Sequence, residues 1–515
     1  MAILSHVITF LSAHIIEIAL TLVIVHFTRN YFTPGVVRIP GPFLAKISNV
    51  WRFVDVARGR PEVTLDRLHR EYGEYVRLGP QVVSVANVDA AKVIYGINKG
   101  YQKTGFYRVQ QQLAKGKPTQ TLFTTTDEDF HAKIKRPVSA AYSMSTVAEF
   151  EPFVDSTTRT LFGRLDEFAE KNEAFDIAIW LQYYAFDVIG EMTFSKQLGF
   201  LEQGHDVEGI IASLEKTLDY AGKIGQMPWL DNVLQKNPLW QLIRGGSTGA
   251  IARFARDRMH ERLSQSDSRP NTPRRQKDFL TRFLEAKTTH PNIVDDTRVF
   301  AYTVSNVNAG SDTTAISLRA VLYYTLKNRE VWGKLREELR SALQAGTITV
   351  PVSWKQSQEL PYLDAVIKEA LRLHPAVGLL LERVVPAEGL QLPNGPFLPA
   401  GTIVGVNPWI IHRHAVFGQE VDRFIPERWL RGNGESETEF QARRQNMLGA
   451  TLTFGAGPRT CIGKNISLLE MYKLIPSLLL AYEVELTEPE AEWEVVNAWF
   501  VRQKKMNVKV TRTAQ

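Results

Sequence analysis

Cysteine is nearly absent from this chain: Cys461 is the only one in 515 residues. One thiol excludes any intrachain disulfide. It also excludes a structural zinc site, which would need further sulfur or histidine ligands that do not lie nearby. A surplus of one charge is missing too. The 61 basic and 55 acidic residues leave a net charge of only +6. That is too weak and too evenly spread for a nucleic-acid binder, though it leaves room for a local basic face. No fixed-period repeat runs through the chain, which argues against a solenoid or propeller. No Gly-x-Gly-x-x-Gly follows a strand pattern, so the sequence offers no flavin- or nicotinamide-binding turn of its own. No linker between residues 45 and 510 is long enough to separate independent domains.

What remains is ordinary globular material, 44% hydrophobic and 23% charged, behind an unusual N-terminus. From Val7 to Phe27 the chain is mostly Val, Ile, Leu, Phe and Ala. That length suits one membrane-spanning helix, which needs about 20 residues. Glu17 near its middle costs about 3 kcal/mol on insertion scales. A cleaved signal peptide is the alternative, but the leading residues lack Lys and Arg and no small-residue cleavage site follows. Arg29, Arg38 and Lys46 come after the segment, which puts the large domain on the cytosolic side. Arg38-Ile39-Pro40-Gly41-Pro42 cannot be helical and forms a stiff hinge. The expected division is an anchor over 1–35 and one large domain over 36–515.

Beyond the hinge helical patterns dominate. They predict long amphipathic helices around 150–170, 177–192, 247–264, 295–327 and 329–344. Tyr75–Leu78 and Val82–Val85 flank Gly79-Pro80 as a hairpin. Ser264 to Asp278 has loop composition, and Met227-Pro228-Trp229 breaks a helical region.

Cys461 lies in Phe454-Gly455-Ala456-Gly457-Pro458-Arg459-Thr460-Cys461-Ile462-Gly463. A lone cysteine is most often a small, inert core residue. These surroundings argue otherwise. Glycines and a proline make the approach tight and irregular. Arg459 sets a fixed positive charge two residues before the sulfur, and Gly463 removes bulk two residues after it. A thiol of reference pKa ~8.5 becomes a good thiolate beside cations, at a helix N-terminus or on a metal. Glycine permits φ > 0 and the close approach of a flat ligand. The loop is built to present one thiolate to something large and planar.

This stretch resembles the haem-binding loop of the cytochrome P-450 family, the haem-thiolate monooxygenases. Phe454, Gly457, Arg459, Cys461 and Gly463 match every fixed position of that loop. The resemblance implies a mainly α fold with small β-sheets, one large catalytic domain behind an N-terminal transmembrane helix. It implies that Cys461 is the axial ligand of the haem iron. Phe454, Gly455 and Gly463 would then lie against the haem, and Arg459 would pair with a propionate. A thiolate ligand pushes electron density onto the iron and favours O–O cleavage.

Asn308-Ala309-Gly310-Ser311-Asp312-Thr313-Thr314 lies inside the most helical stretch. A mid-helix Thr or Asp is usually solvent-facing or bonded back to the helix. Gly310 with two threonines instead weakens the helix at its centre, the Gly alone costing about 1 kcal/mol relative to Ala. The string is similar to the family's distal-helix motif. By that likeness Thr313 orders a proton-donating water and Asp312 supplies protons from the solvent side. Positioned proton transfer is worth ~10²–10⁴ in rate.

Glu369 and Arg372 stand at i, i+3 after Pro361, which suits a first helical position. Such a pair is usually a surface feature of little value. Here it is followed by His374-Pro375, Arg383 and Phe424-Ile425-Pro426-Glu427-Arg428-Trp429. The resemblance implies a buried structural network of Glu369, Arg372 and Arg428, with Arg383 on a haem propionate. Trp409-Ile410-Ile411-His412-Arg413-His414 is similar to the family's His-Arg-Asp turn, with His414 in place of Asp. A clearer departure lies in Asp129–Val138, which lacks the Trp that many members place on a propionate. His131 and Lys135 hold those positions, with Phe130 as the off-by-one alternative. The string through Ser145 resembles filamentous-fungal members such as pisatin demethylase.

The implied cofactor is haem b, with NADPH acting only through a flavoprotein reductase. Cytochrome b5 is a second electron donor that the resemblance allows. Lys133, Lys135, Arg136, Arg443, Arg444 and Lys464 are the basic residues expected on the reductase-facing side. The implied location is the endoplasmic reticulum membrane, single-pass, with the catalytic domain cytosolic. The pocket expected from 105–123, 300–313, 377–381 and Trp499-Phe500 is apolar or aromatic, which points to an uncharged hydrophobic substrate of fungal secondary metabolism. Two other readings stay open: a haem-thiolate isomerase or dehydratase that uses no external electrons, and a non-catalytic haem sensor. Asp312-Thr313 argues against the sensor, which has no use for a proton relay.

Overall fold

The computed structural model describes residues 13–114, 116–239, 250–266 and 277–513. Its first helix, α1 (Ile15–Tyr31), buries none of its side chains. The leading residues of the predicted Val7–Phe27 membrane run lie outside the described residues. Among those described, no helix is long and apolar enough to cross a membrane. The end of α1 is held by Arg77, a fully buried side chain. Its guanidinium donates to the carbonyls of Tyr31 (2.9 Å), Asn30 (2.6 Å) and Pro80 (2.8 Å). A cation collecting the last carbonyls of a helix satisfies groups that have no partner within it. The segment Arg38 to Pro42 is non-helical, as its prolines dictate.

Arg77 belongs to a five-stranded sheet. The predicted hairpin is β1 (Tyr75–Gly79) against β2 (Val82–Val85), antiparallel. The other strands are β3 (Gln102–Lys103), β4 (Arg383–Val384) and β5 (Ile403–Gly405). Their order is β1-β2-β5-β4-β3. β5 runs parallel to β2, while β4 and β3 are antiparallel to their neighbours. In this register Lys103 stands directly opposite Arg383. Two cations face each other, where like charges destabilise.

The helices that position the site are α2 (Glu128–Lys135), α3 (Glu151–Lys171), α4 (Ile177–Phe194), α5 (Asp296–Gly310), α6 (Asp312–Lys327), α7 (Arg329–Gln344), α8 (Pro361–Leu373) and α9 (Lys464–Ala481). Residues 250–266 are also helical, so the predicted 247–264 helix is present over its described part, and the predicted loop after it lies largely outside the described residues. α4 has no polar face and is buried almost throughout, as such a helix must be. It packs on α3, α5 and α6, and α6 packs in turn on α8 and α9.

The predicted weak point in the 295–327 helix is a break. Ser311 (φ −82°, ψ −70°) separates α5 from α6. Ser311 Oγ donates to the Val307 carbonyl (2.9 Å) and Thr313 Oγ1 to the Ala309 carbonyl (2.7 Å). Such back-bonding bends helices. Gly310 matters for a second reason: a Cβ there would lie 2.9 Å from Ile189 on α4. The glycine lets α5 and α4 approach closely.

Candidate functional site

The Cys461 loop closes on itself before α9 begins. The Cys461 N–H donates to the Phe454 carbonyl (2.8 Å), and the Gly455 N–H to the Leu452 carbonyl (2.9 Å). Gly455 and Gly457 adopt φ of +66° and +64°. A Cβ on Gly457 would stand 1.8 Å from the Tyr95 carbonyl oxygen. Gly463 differs: its φ is −82°. Its value is space, since a Cβ there would lie 4.0 Å from the Cys461 sulfur. Burial pushes the thiol pKa up. The N–H groups of Gly463 and Lys464 oppose that rise, as do the Lys464 and Lys135 charges. The residue is nonetheless exposed, so the sulfur sits deep in protein mass yet stays open on one side. Thr314 Oγ1 and Ser467 Oγ, 2.8 Å apart, tie the start of α6 to the start of α9.

Five basic side chains gather at this loop. Lys103 Nζ donates to the Phe123 carbonyl (2.6 Å) and sits 4.2 Å from the Tyr107 and Phe123 ring centres. Burial, then the Arg383 and Arg459 charges, push its pKa well down. Arg383 donates to its neighbour's carbonyl on Glu382 (2.8 Å) and lies over the Tyr95 ring. His131 is buried, and burial with the charges of Arg459, Lys135 and Lys103 pulls it to about 3. Lys135 Nζ donates to the Pro458 carbonyl (3.1 Å), and burial followed by Arg459 lowers its pKa. Phe130 instead lies beneath Arg298, outside this group. Among the ion pairs of the described residues, one carboxylate serves all five side chains, of which His131, at about 3, is neutral. Glu128 takes Arg459 Nε at 2.8 Å and Nη2 at 2.9 Å.

The structural network is present and larger than expected. Glu369 accepts from Arg372 Nε (2.8 Å) and Nη2 (2.7 Å), from Arg428 Nε (2.8 Å) and from Trp429 Nε1 (2.9 Å). Burial and the Arg372 and Arg413 charges pull His412 to about 3, although its bond to the Arg372 carbonyl works the other way. It is therefore neutral. Its Nδ1–H donates to the Arg372 carbonyl (3.0 Å), and its Nε2 accepts from the Leu452 N–H (2.8 Å). One imidazole thus links α8 to the Cys461 loop. His414, where an Asp was expected, caps the next turn by accepting from the Val416 N–H (3.1 Å).

Asp312 is 2% exposed. Oδ1 accepts from Gln182 on α4 (2.7 Å), and Oδ2 has no partner among the described residues. Burial raises its pKa to about 6 against the opposing Gln182 bond and the Arg319 charge. Thr313 is half-buried at the break.

The chain is similar to known proteins. The family description for cytochrome P450 matches residues 40–510. The chain belongs to the cytochrome P450 family. A cytochrome P450 monooxygenase of Aspergillus terreus is 42% identical over 491 residues, 94% of this chain and 98% of that protein. Cytochrome P450 monooxygenase cicH of Emericella nidulans is 43% identical over 474 residues, 92% of this chain and 93% of that protein. The crystal structure of a cytochrome P450, CYP102L1, aligns with a TM-score of 0.71 at 19% identity. It covers 90% of this chain and 96% of that chain, and it shows the P450 fold. The chain is an enzyme of the monooxygenase kind.

Membership in the P450 family implies a haem cofactor, and the residues fit one. Buried cations that share the one carboxylate of Glu128 suit the two carboxylates that haem carries. The sulfur is open on one side, at a helix N-terminus that favours negative charge. Sequence reasoning missed Lys103, Glu128, His412 and Trp429. Trp429 was within the quoted Pro-Glu-Arg-Trp string, and its indole N–H was the available signal. Nothing in Gln102-Lys103-Thr104 marks Lys103, whose role arises only from the β3–β4 register.

Proposed function

We propose that this P450 is a haem-thiolate monooxygenase acting on a neutral, hydrophobic small molecule of fungal secondary metabolism. The carrying observation is the exposed Cys461 sulfur at the start of α9 beside an excess of buried cations. The oxygen chemistry is that of haem b when bound. Cys461 would hold the iron as thiolate. Arg383, Arg459, Lys103, His131 and Lys135 would hold the propionates, Arg459 giving up Glu128 for one of them. Phe454, Gly455 and Gly463 leave room for the ring. Thr313 Oγ1, parked on the Ala309 carbonyl, is free to turn and donate a proton beside the reacting oxygen. Asp312, with a pKa of about 6, exchanges protons near neutral pH from within the core rather than at the surface.

Electrons come from an NADPH-dependent flavoprotein reductase, with cytochrome b5 as an optional second donor. Support for the docking face is narrower than the sequence suggested. Arg443 is paired with Glu435 (2.7 Å) and Lys135 faces inward, which leaves Lys133, Arg136, Arg444 and Lys464. Such charges steer an acidic partner, less so at high salt. Exposed apolar side chains at Ile16 (72%), Phe43 (66%) and Leu44 (60%) support a membrane anchor at the N-terminus. The endoplasmic reticulum is the proposed site, single-pass, with the enzyme cytosolic.

Cys461→Ser tests the reading. The variant should retain the fold and lose the long-wavelength Soret band of the reduced carbon-monoxide complex. Survival of that band rejects Cys461 as the ligand.

A further inference from the structure

Three buried polar side chains meet where α4 packs on α6: Gln182, Asp312 and Arg319. Asp312 and Arg319 stand two turns apart on α6, about 10 Å along its axis. Gln182 reaches in from α4 and joins them. Arg319 Nη2 donates to Gln182 Oε1 (2.9 Å), and Arg319 Nε donates to the carbonyl of Ala178, one turn earlier on α4 (2.8 Å). Gln182 Nε2 donates in turn to Asp312 Oδ1 (2.7 Å).

The direction of this chain is fixed by chemistry. A guanidinium has only donors, so the amide atom that meets it must be the oxygen, and the amide nitrogen is left facing the carboxyl. Arg319 stays charged near neutral pH, because burial lowers its pKa only to about 10, against the pull of the Asp312 charge. A flipped amide would turn its N–H groups onto this cation and offer its oxygen to the Asp312 hydroxyl, which would trap the proton. In the observed direction Oδ1 accepts, and the accepting oxygen of a neutral carboxyl is its carbonyl oxygen. Oδ2, without a partner among the described residues, is the remaining place for the proton. The other charged groups that act on Asp312 are Glu215 on the helix Ile210–Ile224 and Arg502 on the strand Val501–Lys504. Arg502 is ion-paired with Asp219, and Asp176 acts on Arg319. These groups bias the charge of Asp312 without choosing between its two oxygens.

We propose that Gln182 is a positioning residue for the Asp312 proton: held by Arg319, its amide can only donate to Oδ1, which leaves Oδ2 as the one oxygen that carries and releases the proton. This rests on the monooxygenase reading, in which Asp312 passes protons, and names the residue that orients them.

The test is difference infrared spectroscopy of the resting holoenzyme across pH, each protein against the same protein carrying Asp312→Asn. Wild type should show one protonated-carboxyl band, on the low-frequency side expected of a hydrogen-bonded carbonyl, that fades as pH rises through about 6. In Gln182→Leu the band should move to the higher frequency of a free carbonyl. Its midpoint should rise by about one to two pH units, the loss of one hydrogen bond to the charged form. A packing role alone would change the urea midpoint and leave both readings where they were. A wild-type band already at the free position overturns the proposal even if the variant does not fold. A band or a midpoint unmoved in Gln182→Leu also overturns it. The reduced carbon-monoxide spectrum of the same wild-type preparation separates the two claims. A thiolate band with an unmoved infrared band condemns Gln182 alone, whereas absence of the thiolate band condemns the monooxygenase reading.

Discussion

Two clusters of buried charge touch the Cys461 loop, and they follow opposite plans. Around Glu369 the account is closed. Arg372 uses all five of its N–H donors, on Glu369 and on the carbonyls of His412, Val421 and Arg423. Around Lys103, His131, Lys135, Arg383 and Arg459 the account is open, with Glu128 as the single paired carboxylate among the described residues. A closed network fixes one arrangement of the chain and needs nothing more. An open one holds positive charge in a low dielectric that only an incoming anion can offset. The contrast separates residues that build the loop from residues that receive a ligand.

The sharpest way to break this contrast is Glu369→Ala. It leaves Arg372, with a fully buried side chain, and Arg428 without their carboxylate. Unfolding in urea should show a loss of about 3–5 kcal/mol. A loss below about 1 kcal/mol would mean that the network is not a structural unit.

Asp312 is the intermediate case, a buried carboxyl with one oxygen partnered and one not. Its pKa is raised from 3.8 to about 6. Between those values the folded chain keeps a proton that the unfolded chain has released. The stability from this group is present below the lower value and is lost as pH rises through the upper one. Asp312→Asn has no such loss. Urea midpoints measured from near pH 4 to near pH 7 should shift in the variant's favour, relative to wild type, by up to about 3 kcal/mol. A constant gap would show that Asp312 stays ionised and paired.

Lys103→Met probes the open cluster and should give the smallest change, with a sign that depends on the ligand. Removing one uncompensated cation should stabilise the haem-free chain by about 1 kcal/mol. The same change should speed haem transfer from the holoprotein to apomyoglobin. Destabilisation of the haem-free chain would place Lys103 in the architecture rather than in the ligand site.

The sequence made the closed cluster legible in part and the open one hardly at all. Glu369 and Arg372 are helix neighbours at i, i+3, and Arg428 follows in a distinctive string, so local spacing carried the signal. The hairpin at Gly79-Pro80 and the break at Ser311 were legible for the same reason: turn residues and helix-weakening residues act where they stand. Lys103 opposite Arg383 is a pairing across roughly 280 residues, and no local pattern records it. Glu128 on Arg459 is remoter still, and His412 on Leu452 spans 40 residues, also beyond any local pattern. Asp312 was legible as a motif residue and its burial was not, because burial belongs to the packing of α4 against α6 and not to the motif.

The open cluster also has a consequence in time. Its members come from β3, α2, β4 and the loop before α9, so no nascent chain that ends before Arg459 contains the set. At about 5–20 residues per second, Cys461 leaves the ribosome roughly 20–70 s after Lys103. Through that interval the early cations wait in a half-made domain. Cofactor capture is therefore tied to the end of synthesis, and a chain that stalls before residue 461 is left with a repelling pocket and nothing to close it.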